Sequence, residues 1–191
     1  MGWAKDRELV LRFYNERRAQ LEGCKPNAGH IGVAALEKYF DVHVITQNID
    51  NLHERAGSSK VLHLHGELTK ARSTAEQSLV YDIGYKDIKP GDKCEKGSQL
   101  RPHIVWFGEA VPMMDEAVRI TSTADIFVVI GSSLNVYPAA GLIGYAPQEA
   151  SLWLIDPNEV PVPGYRKVEI IRAGAGEGVA LLTQRLLEEY L

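Results

Sequence analysis

The chain has 191 residues, of which 45% are hydrophobic and 24% charged, and its formal net charge is −4. This fits one soluble globular domain, or one domain with a small insertion, and gives no reason to expect nucleic acid or a membrane surface as a partner. No apolar stretch approaches a membrane span, the N-terminus is not a secretory signal, and two cysteines, Cys24 and Cys94, are too few for a disulfide framework or a four-cysteine zinc site. The cytoplasm is the expected compartment.

Residues 5–22 place Leu9, Val10, Phe13, Tyr14, Arg17 and Leu21 at helical spacing. Asn27 is expected to cap a second helix running to about Tyr39. The β-branched run at 42–46 reads as a buried strand, followed by a helical turn from Asp50 to Ala56 closed by Gly57, then a strand over Val61–Leu64. Residues 70–101 change character, being polar and rich in Lys, Asp, Gly and Ser with short β-like pieces such as Leu79-Val80-Tyr81. They read as an insertion, giving one domain over 1–69 and 102–191 and a small subdomain over 70–101.

A helix is expected at 112–122. Asp125-Ile126-Phe127-Val128-Val129-Ile130-Gly131 then has the continuous apolar character of a parallel strand buried on both faces. Helix at Tyr137–Tyr145, strands at Leu152–Ile155 and Val168–Ile171, and a closing helix at Gly178–Tyr190 complete the pattern. Alternating strands and helices argue for an α/β fold around a parallel sheet.

The richest chemistry lies at Thr46-Gln47-Asn48-Ile49-Asp50-Asn51-Leu52-His53 and Leu62-His63-Leu64-His65-Gly66-Glu67-Leu68. Amides, carboxylates and imidazoles follow a strand directly, and ligands of open α/β sheets bind where strands end. The same residues admit a plainer reading, in which Asn48 and Asp50 cap the next helix and the histidines pack. Gly131-Ser132-Ser133 offers backbone N–H groups and hydroxyls suited to a phosphate or ribose, although Gly-Ser turns are common. Ala173-Gly174-Ala175-Gly176 would let an adenine ring approach the backbone closely. No GxGxxG fingerprint follows a strand. Two tight strand-end turns and the Gln47–Asp50 row, converging on one sheet edge, together favour a nucleotide.

Thr46-Gln47-Asn48-Ile49-Asp50, His65-Gly66-Glu67, Val105-Trp106-Phe107-Gly108-Glu109 and Gly131-Ser132-Ser133, in this order, resemble the motifs of sirtuins, the NAD-dependent protein lysine deacylases. The resemblance runs from about residue 5 to the C-terminus and implies a Rossmann-like sheet, NAD as cofactor and acylated-lysine proteins or peptides as substrates. It makes His65 the general base acting through the NAD ribose, a task for an imidazole titrating near neutral pH. On a strand His63 would share the face of His65, so the family pattern selects His65. Gln47 would contact the ribose, and Asn48 and Asp50 would line the nicotinamide pocket with Ile49 between them. Gly131, Ser132 and Ser133 would hold ribose and phosphate, and Ala175 would lie by the adenine. Val105, Phe107, Gly108 and Glu109, with Leu134 and the residues to Tyr137, would pair with substrate peptide as added strands.

Tyr14 and Arg17, three apart, share a helix face. A phenol and a guanidinium there could bind a carboxylate, which resembles the sirtuin branch that removes succinyl and malonyl groups. Without that context Arg17 reads as a solvated surface arginine.

The sequence also departs from the family. Sirtuins usually hold structural zinc with two CxxC pairs, whereas Lys70–Arg101 contains only Cys94, so no metal is expected. Packing of Leu79, Tyr81, Ile83, Tyr85 and Ile88 is expected to order the segment instead. Leu154 stands where sirtuins tend to have an adenosine-contacting asparagine, and Asp156 could take a ribose hydroxyl in its place. The family's first strand and Gly-Ala-Gly turn, on the order of 30 residues, normally precede the positions matched by Trp3–Val10. On that ground the chain is expected to be a fragment of a longer product, with weak or no turnover, or to fold and work differently. The alternatives are a non-catalytic acyl-lysine or peptide-binding fragment and a protein ADP-ribosyltransferase.

Overall fold

The computed structural model describes residues 2–132, 139–162, 164 and 166–191. In chain order the elements are α1 (Gly2–Lys5), α2 (Arg7–Gly23), α3 (Ala28–Leu36), β1 (Val44–Thr46), α4 (Leu52–Ala56), β2 (Val61–His63), β3 (Gly66–Ser73), β4 (Val80–Asp82), β5 (Leu100–Ile104), α5 (Met114–Thr121), β6 (Ile126–Ile130), a 3-10 helix (Ala139–Tyr145), β7 (Ser151–Ile155), β8 (Glu169–Ile171) and α6 (Ala175–Tyr190). No described helix is long and apolar enough to cross a membrane. The chain forms two compact units, one of residues 1–25, 46–51 and 63–111, the other of residues 26–45, 52–62 and 112–191.

In the first unit, the Asp6 carboxylate starts α2 by accepting the Leu9 N–H at 2.9 Å. The apolar side of α2 meets an antiparallel sheet of order β4-β3-β5, where Leu11 packs with Ala71 and Ile88, and Trp3, Ile83 and Leu100 close the cluster. Arg18, fully buried, donates from Nε to the Leu68 carbonyl at 2.6 Å and from Nη1 to Asn15 Oδ1 at 2.8 Å. Asn15 in turn bonds both the N–H and the carbonyl of Ile88, each at 3.0 Å. A buried guanidinium needs such acceptors, because desolvation opposes its charge and pushes its pKa down.

The segment 70–101 is ordered differently from the expected apolar packing. β3 runs straight through position 70, and only Ile83 and Ile88 of the five named residues join the cluster. Tyr81 instead donates its hydroxyl to Glu95 at 2.7 Å, and Tyr85 accepts from Asn51 Nδ2 at 3.1 Å. Backbone bonds, including Cys94 N–H to the Ser98 carbonyl and Leu100 N–H to the Asp92 carbonyl, both 2.8 Å, close the remaining turns.

The second unit holds the parallel sheet, order β6-β7-β8, with in-register pairs from Ile126↔Ser151 to Ile130↔Ile155. Its core joins Trp153, Ile155 and Ile171 to Val179, Leu182 and Leu186 of α6. The Asn27 side chain caps α3 by accepting the His30 N–H at 3.1 Å while His30 Nδ1 accepts the Asn27 N–H at 3.2 Å. Two expectations need correction here. β6 is half-exposed along its length rather than buried on both faces, because among the described residues it pairs on one side only. α6 begins at Ala175, one turn before the expected Gly178, because its glycines serve close packing and not a loop. A Cβ on Gly178 would lie 2.2 Å from Ile155 Cγ2. Residues 137 and 138 of the expected helix lie outside the described residues, and 139–145 form a 3-10 helix.

His103 on β5 supplies a test of the first unit. Burial comes first in pushing its pKa below the ordinary imidazole value, followed by the charge of Arg72, with Lys70 and Arg101 adding to this and Glu67 opposing it. The folded state therefore resists a proton that the unfolded chain accepts, so stability is full above the ordinary histidine range and falls as pH drops below about 6.5. Urea midpoints measured from pH 8 to pH 5 should decline in that window, and the decline should be shallower in His103→Gln.

Candidate active site

In the first unit, the residues after β1 and those around the β2–β3 turn lie against each other. Thr46 Oγ1 accepts the Asn48 N–H at 3.0 Å, turning the chain as it leaves the strand. Leu64 N–H donates to the Thr46 carbonyl at 2.9 Å and Leu68 N–H to the Ile49 carbonyl at 2.7 Å. These two bonds fix 46–49 beside 64–68.

Within this crossing, His65 Nδ1 is 3.0 Å from the Gln47 carbonyl and His63 Nδ1 is 3.2 Å from the Asn48 carbonyl. A carbonyl oxygen can only accept, so in each neutral ring Nδ1 carries the hydrogen. For His65 this leaves Nε2 with its lone pair, the form a general base requires, and no side chain among the described residues occupies it. His65 also sits in the tight turn between β2 and β3, not on a strand. The expected shared face with His63 therefore does not arise. Burial separates the two rings instead, His63 being buried and His65 half-exposed.

The turn depends on Gly66. Its φ is +82°, and a Cβ there would lie 1.9 Å from the His103 carbonyl oxygen. No side chain fits, so β3 can approach β5 immediately after His65 only with glycine at this position. Val105 N–H then donates to the His65 carbonyl at 2.9 Å, tying the residues after β5 to the same turn.

Gln47, Ile49 and Asp50 are half-buried and Asn48 is exposed, so the row expected to meet nicotinamide and ribose remains reachable from solvent. Asn51 extends it. Its Nδ2 holds Tyr85, while its buried Oδ1 has no partner among the described residues. Asn51 has no role in the sequence reading, because nothing local shows that Tyr85 would meet it.

Residues 105–109 form a loop held from within. Glu109 accepts the Trp106 N–H at 2.9 Å, Arg101 Nη1 and Nη2 at 2.8 and 3.1 Å, and Arg72 Nη2 at 3.1 Å. Partial burial pushes the Glu109 pKa up, but bonds from Arg101 and the Trp106 N–H and the two positive charges outweigh it and hold the carboxyl below its usual range. The Glu109 carboxylate is thus bonded to two arginines and to the Trp106 backbone, and it closes the loop. The Arg101 guanidinium lies 3.4 Å from the Trp106 ring centroid. Phe107 is fully exposed, and Gly108 has φ +87°. Arg72, Arg101 and Trp106 were missed as organising residues; the signal was two arginines within otherwise core-like strands.

On α2, Arg17 is exposed, with Nη1 3.4 Å from Gln20 Oε1 and Cζ 5.3 Å from the Phe13 ring centroid. Tyr14 is half-buried, and its hydroxyl accepts from Trp106 Nε1 at 2.9 Å. Burial pushes its pKa above the ordinary tyrosine value, more than the Trp106 bond and the Arg101 charge pull it down, so the phenol keeps its proton at neutral pH.

In the second unit four expected residues follow parallel strands. Gly131 leaves β6 with φ +60° and donates to the Ile155 carbonyl at 2.9 Å, and half-buried Ser132 comes next. Asp156 follows β7, buried, with Oδ1 accepting the Asn158 N–H at 2.8 Å. Ala175 begins α6 after Gly174, at an N-terminus with no side-chain cap. A strand-end glycine-serine turn, a strand-end carboxylate and an uncapped helix start fit the ribose and phosphate groups of a dinucleotide. Among the described residues β1, which leads into Gln47–Asp50, pairs with β2. Ser133 and Leu134 lie outside the described residues. The one thiol of 70–101, Cys94, is buried and lies 3.3 Å from Ser73 Oγ.

The chain matches the model of the Sir2 family over residues 2–138. It is 55% identical over 193 residues to an NAD-dependent protein deacylase of Bacteroides thetaiotaomicron, covering 97% of this chain and 82% of the relative. Among solved structures it is similar to a Sir2 homolog–NAD complex, with TM-score 0.86 and 37% identity over 98% of this chain and 75% of that one. It is also similar to Sir2Tm bound to a propionylated peptide, with TM-score 0.79 and 32% identity over 98% of this chain and 81% of the other.

Proposed function

The chain belongs to the Sir2 family of NAD-dependent protein deacylases, and on that premise we propose that it removes succinyl and malonyl groups from lysine in preference to acetyl. The observation that carries this reading is the α2 face. Arg17 presents an exposed guanidinium whose polar neighbour among the described residues, Gln20, is a weak acceptor at 3.4 Å. One turn away, the Tyr14 hydroxyl already accepts from Trp106, which leaves its own proton to be donated. Two donors on one helix face suit a carboxylate better than a methyl group.

The remaining site residues take roles consistent with this reading. NAD, when bound, would supply the ribose carbon that the acyl oxygen bonds as the nicotinamide–ribose bond breaks, together with a ribose hydroxyl. His65 Nε2 takes the proton of that hydroxyl, with the Gln47 carbonyl fixing the ring and its tautomer. Gln47, Asn48, Ile49 and Asp50 line the nicotinamide and ribose side, while Gly131, Ser132, Ser133, Asp156 and Ala175 serve ribose, phosphate and adenine. Val105, Phe107, Gly108 and Leu134 offer backbone to an extended peptide. We further read the 70–101 segment as ordered without a metal, by its ladder of backbone bonds and by Cys94 against Ser73.

Nicotinamide release from succinyl-lysine peptide should fall roughly a hundredfold or more in His65→Ala, and an unchanged rate would overturn the base assignment. Arg17→Met should lower desuccinylation at least tenfold more than deacetylation; equal losses would refute the carboxylate role. For the metal-free segment, elemental analysis of the purified protein should find no stoichiometric zinc, and one equivalent per chain would contradict it.

A further inference from the structure

Trp106 has an indole N–H that can only donate, and it points at the Tyr14 oxygen from 2.9 Å. Hence Tyr14 must accept there, and its own O–H has no acceptor among the described residues. The ring that imposes this is itself immobilised. Arg101 stacks on it at 3.4 Å, Trp3 lies 5.7 Å from it between ring centroids, and the Trp106 backbone N–H donates to Glu109. Glu109 also anchors Arg101 through two nitrogens, so one carboxylate fixes both the backbone of Trp106 and the cation above its ring.

We propose that Trp106, clamped by Arg101 and Glu109, is a positioning residue for acyl selection, one that orients the Tyr14 hydroxyl so that its proton is presented to the carboxylate of a dicarboxylic acyl group. This rests on the reading of Tyr14 and Arg17 given above and extends it to residues that need not touch the acyl chain. A tyrosine without this partner could turn its proton elsewhere or use it on water. With Trp106 in place, the phenol meets a carboxylate as a donor and meets an acetyl methyl with nothing to offer. Discrimination then depends on an indole N–H as well as on Tyr14 and Arg17.

The test is a double-mutant cycle on acyl discrimination, read as the ratio of equilibrium affinities for succinyl-lysine and acetyl-lysine versions of one peptide. Trp106→Phe keeps a flat apolar ring under Arg101 but removes the N–H, and should lower the ratio roughly tenfold, as Tyr14→Phe should. The double variant should be no worse than Tyr14→Phe alone, because a residue acting through Tyr14 has nothing to orient once the hydroxyl is gone. Independent, multiplying losses would overturn the positioning role, and so would a Trp106→Phe ratio equal to wild type; in both cases a lowered ratio in Tyr14→Phe leaves the dicarboxylate reading standing. If neither Tyr14→Phe nor Arg17→Met changes the ratio, that reading fails and the positioning role fails with it. Glu109→Gln supplies a check on the clamp: weakening the anchor of Arg101 should lower the same ratio, and by less than Trp106→Phe.

Discussion

A single hydrogen bond, from His65 Nδ1 to the Gln47 carbonyl, fixes the ring on which the proposed chemistry depends. Its net contribution to stability is about 1 kcal/mol, no more than any other such bond. Its chemical consequence is larger, because it selects which ring nitrogen keeps a lone pair. The surrounding architecture can be followed outward from it. Leu64 and Leu68 bond the carbonyls of Thr46 and Ile49 and so hold the two segments together. Arg18, buried beneath, bonds the Leu68 carbonyl and joins α2 to the same strand. Gly66 lets β3 turn into contact with β5 one residue after the histidine.

From that turn the proposed acyl-selecting side is reached by short steps. The His65 carbonyl takes the Val105 N–H, and Val105 leads into the loop closed by Glu109. Two arginines converge on Glu109, and the stack of Arg101 on Trp106 carries its influence to Tyr14 on α2. The proposed base and the proposed specificity helix thus belong to one compact unit and share its internal bonds. The second unit contributes a different kind of site, made of strand ends and an uncapped helix start, whose groups are backbone amides, small hydroxyls and one carboxylate. Proton transfer needs a fixed side chain, whereas holding sugar and phosphate needs exposed main chain.

Features encoded locally were visible in the sequence. The strand before Gln47, the Gly131 turn, the Asn27 cap and the paired positions of Tyr14 and Arg17 each depend on residues a few places apart. What stayed hidden depends on long-range partners. The tautomer of His65 is set by a carbonyl 18 positions away, and the Arg72–Glu109 pair spans 37. Gly178 read as the end of a loop because nothing nearby shows that Ile155 will lie against it. β6 read as doubly buried from composition alone, which cannot tell an inner strand from an edge strand. The order of 70–101 rests mainly on backbone bonds, and these leave little trace in side-chain pattern.

The central claim is the protonation geometry of His65, and it can be observed without turnover. Protein labelled with nitrogen-15 at histidine, held above the imidazole titration range, reports through long-range proton–nitrogen correlations which ring nitrogen carries hydrogen. The His65 signals would be assigned by their loss in His65→Gln. The account predicts a protonated Nδ1 and a bare Nε2. A ring protonated at Nε2 would contradict it, since the Gln47 carbonyl would then face a lone pair and the base would be turned away from its task.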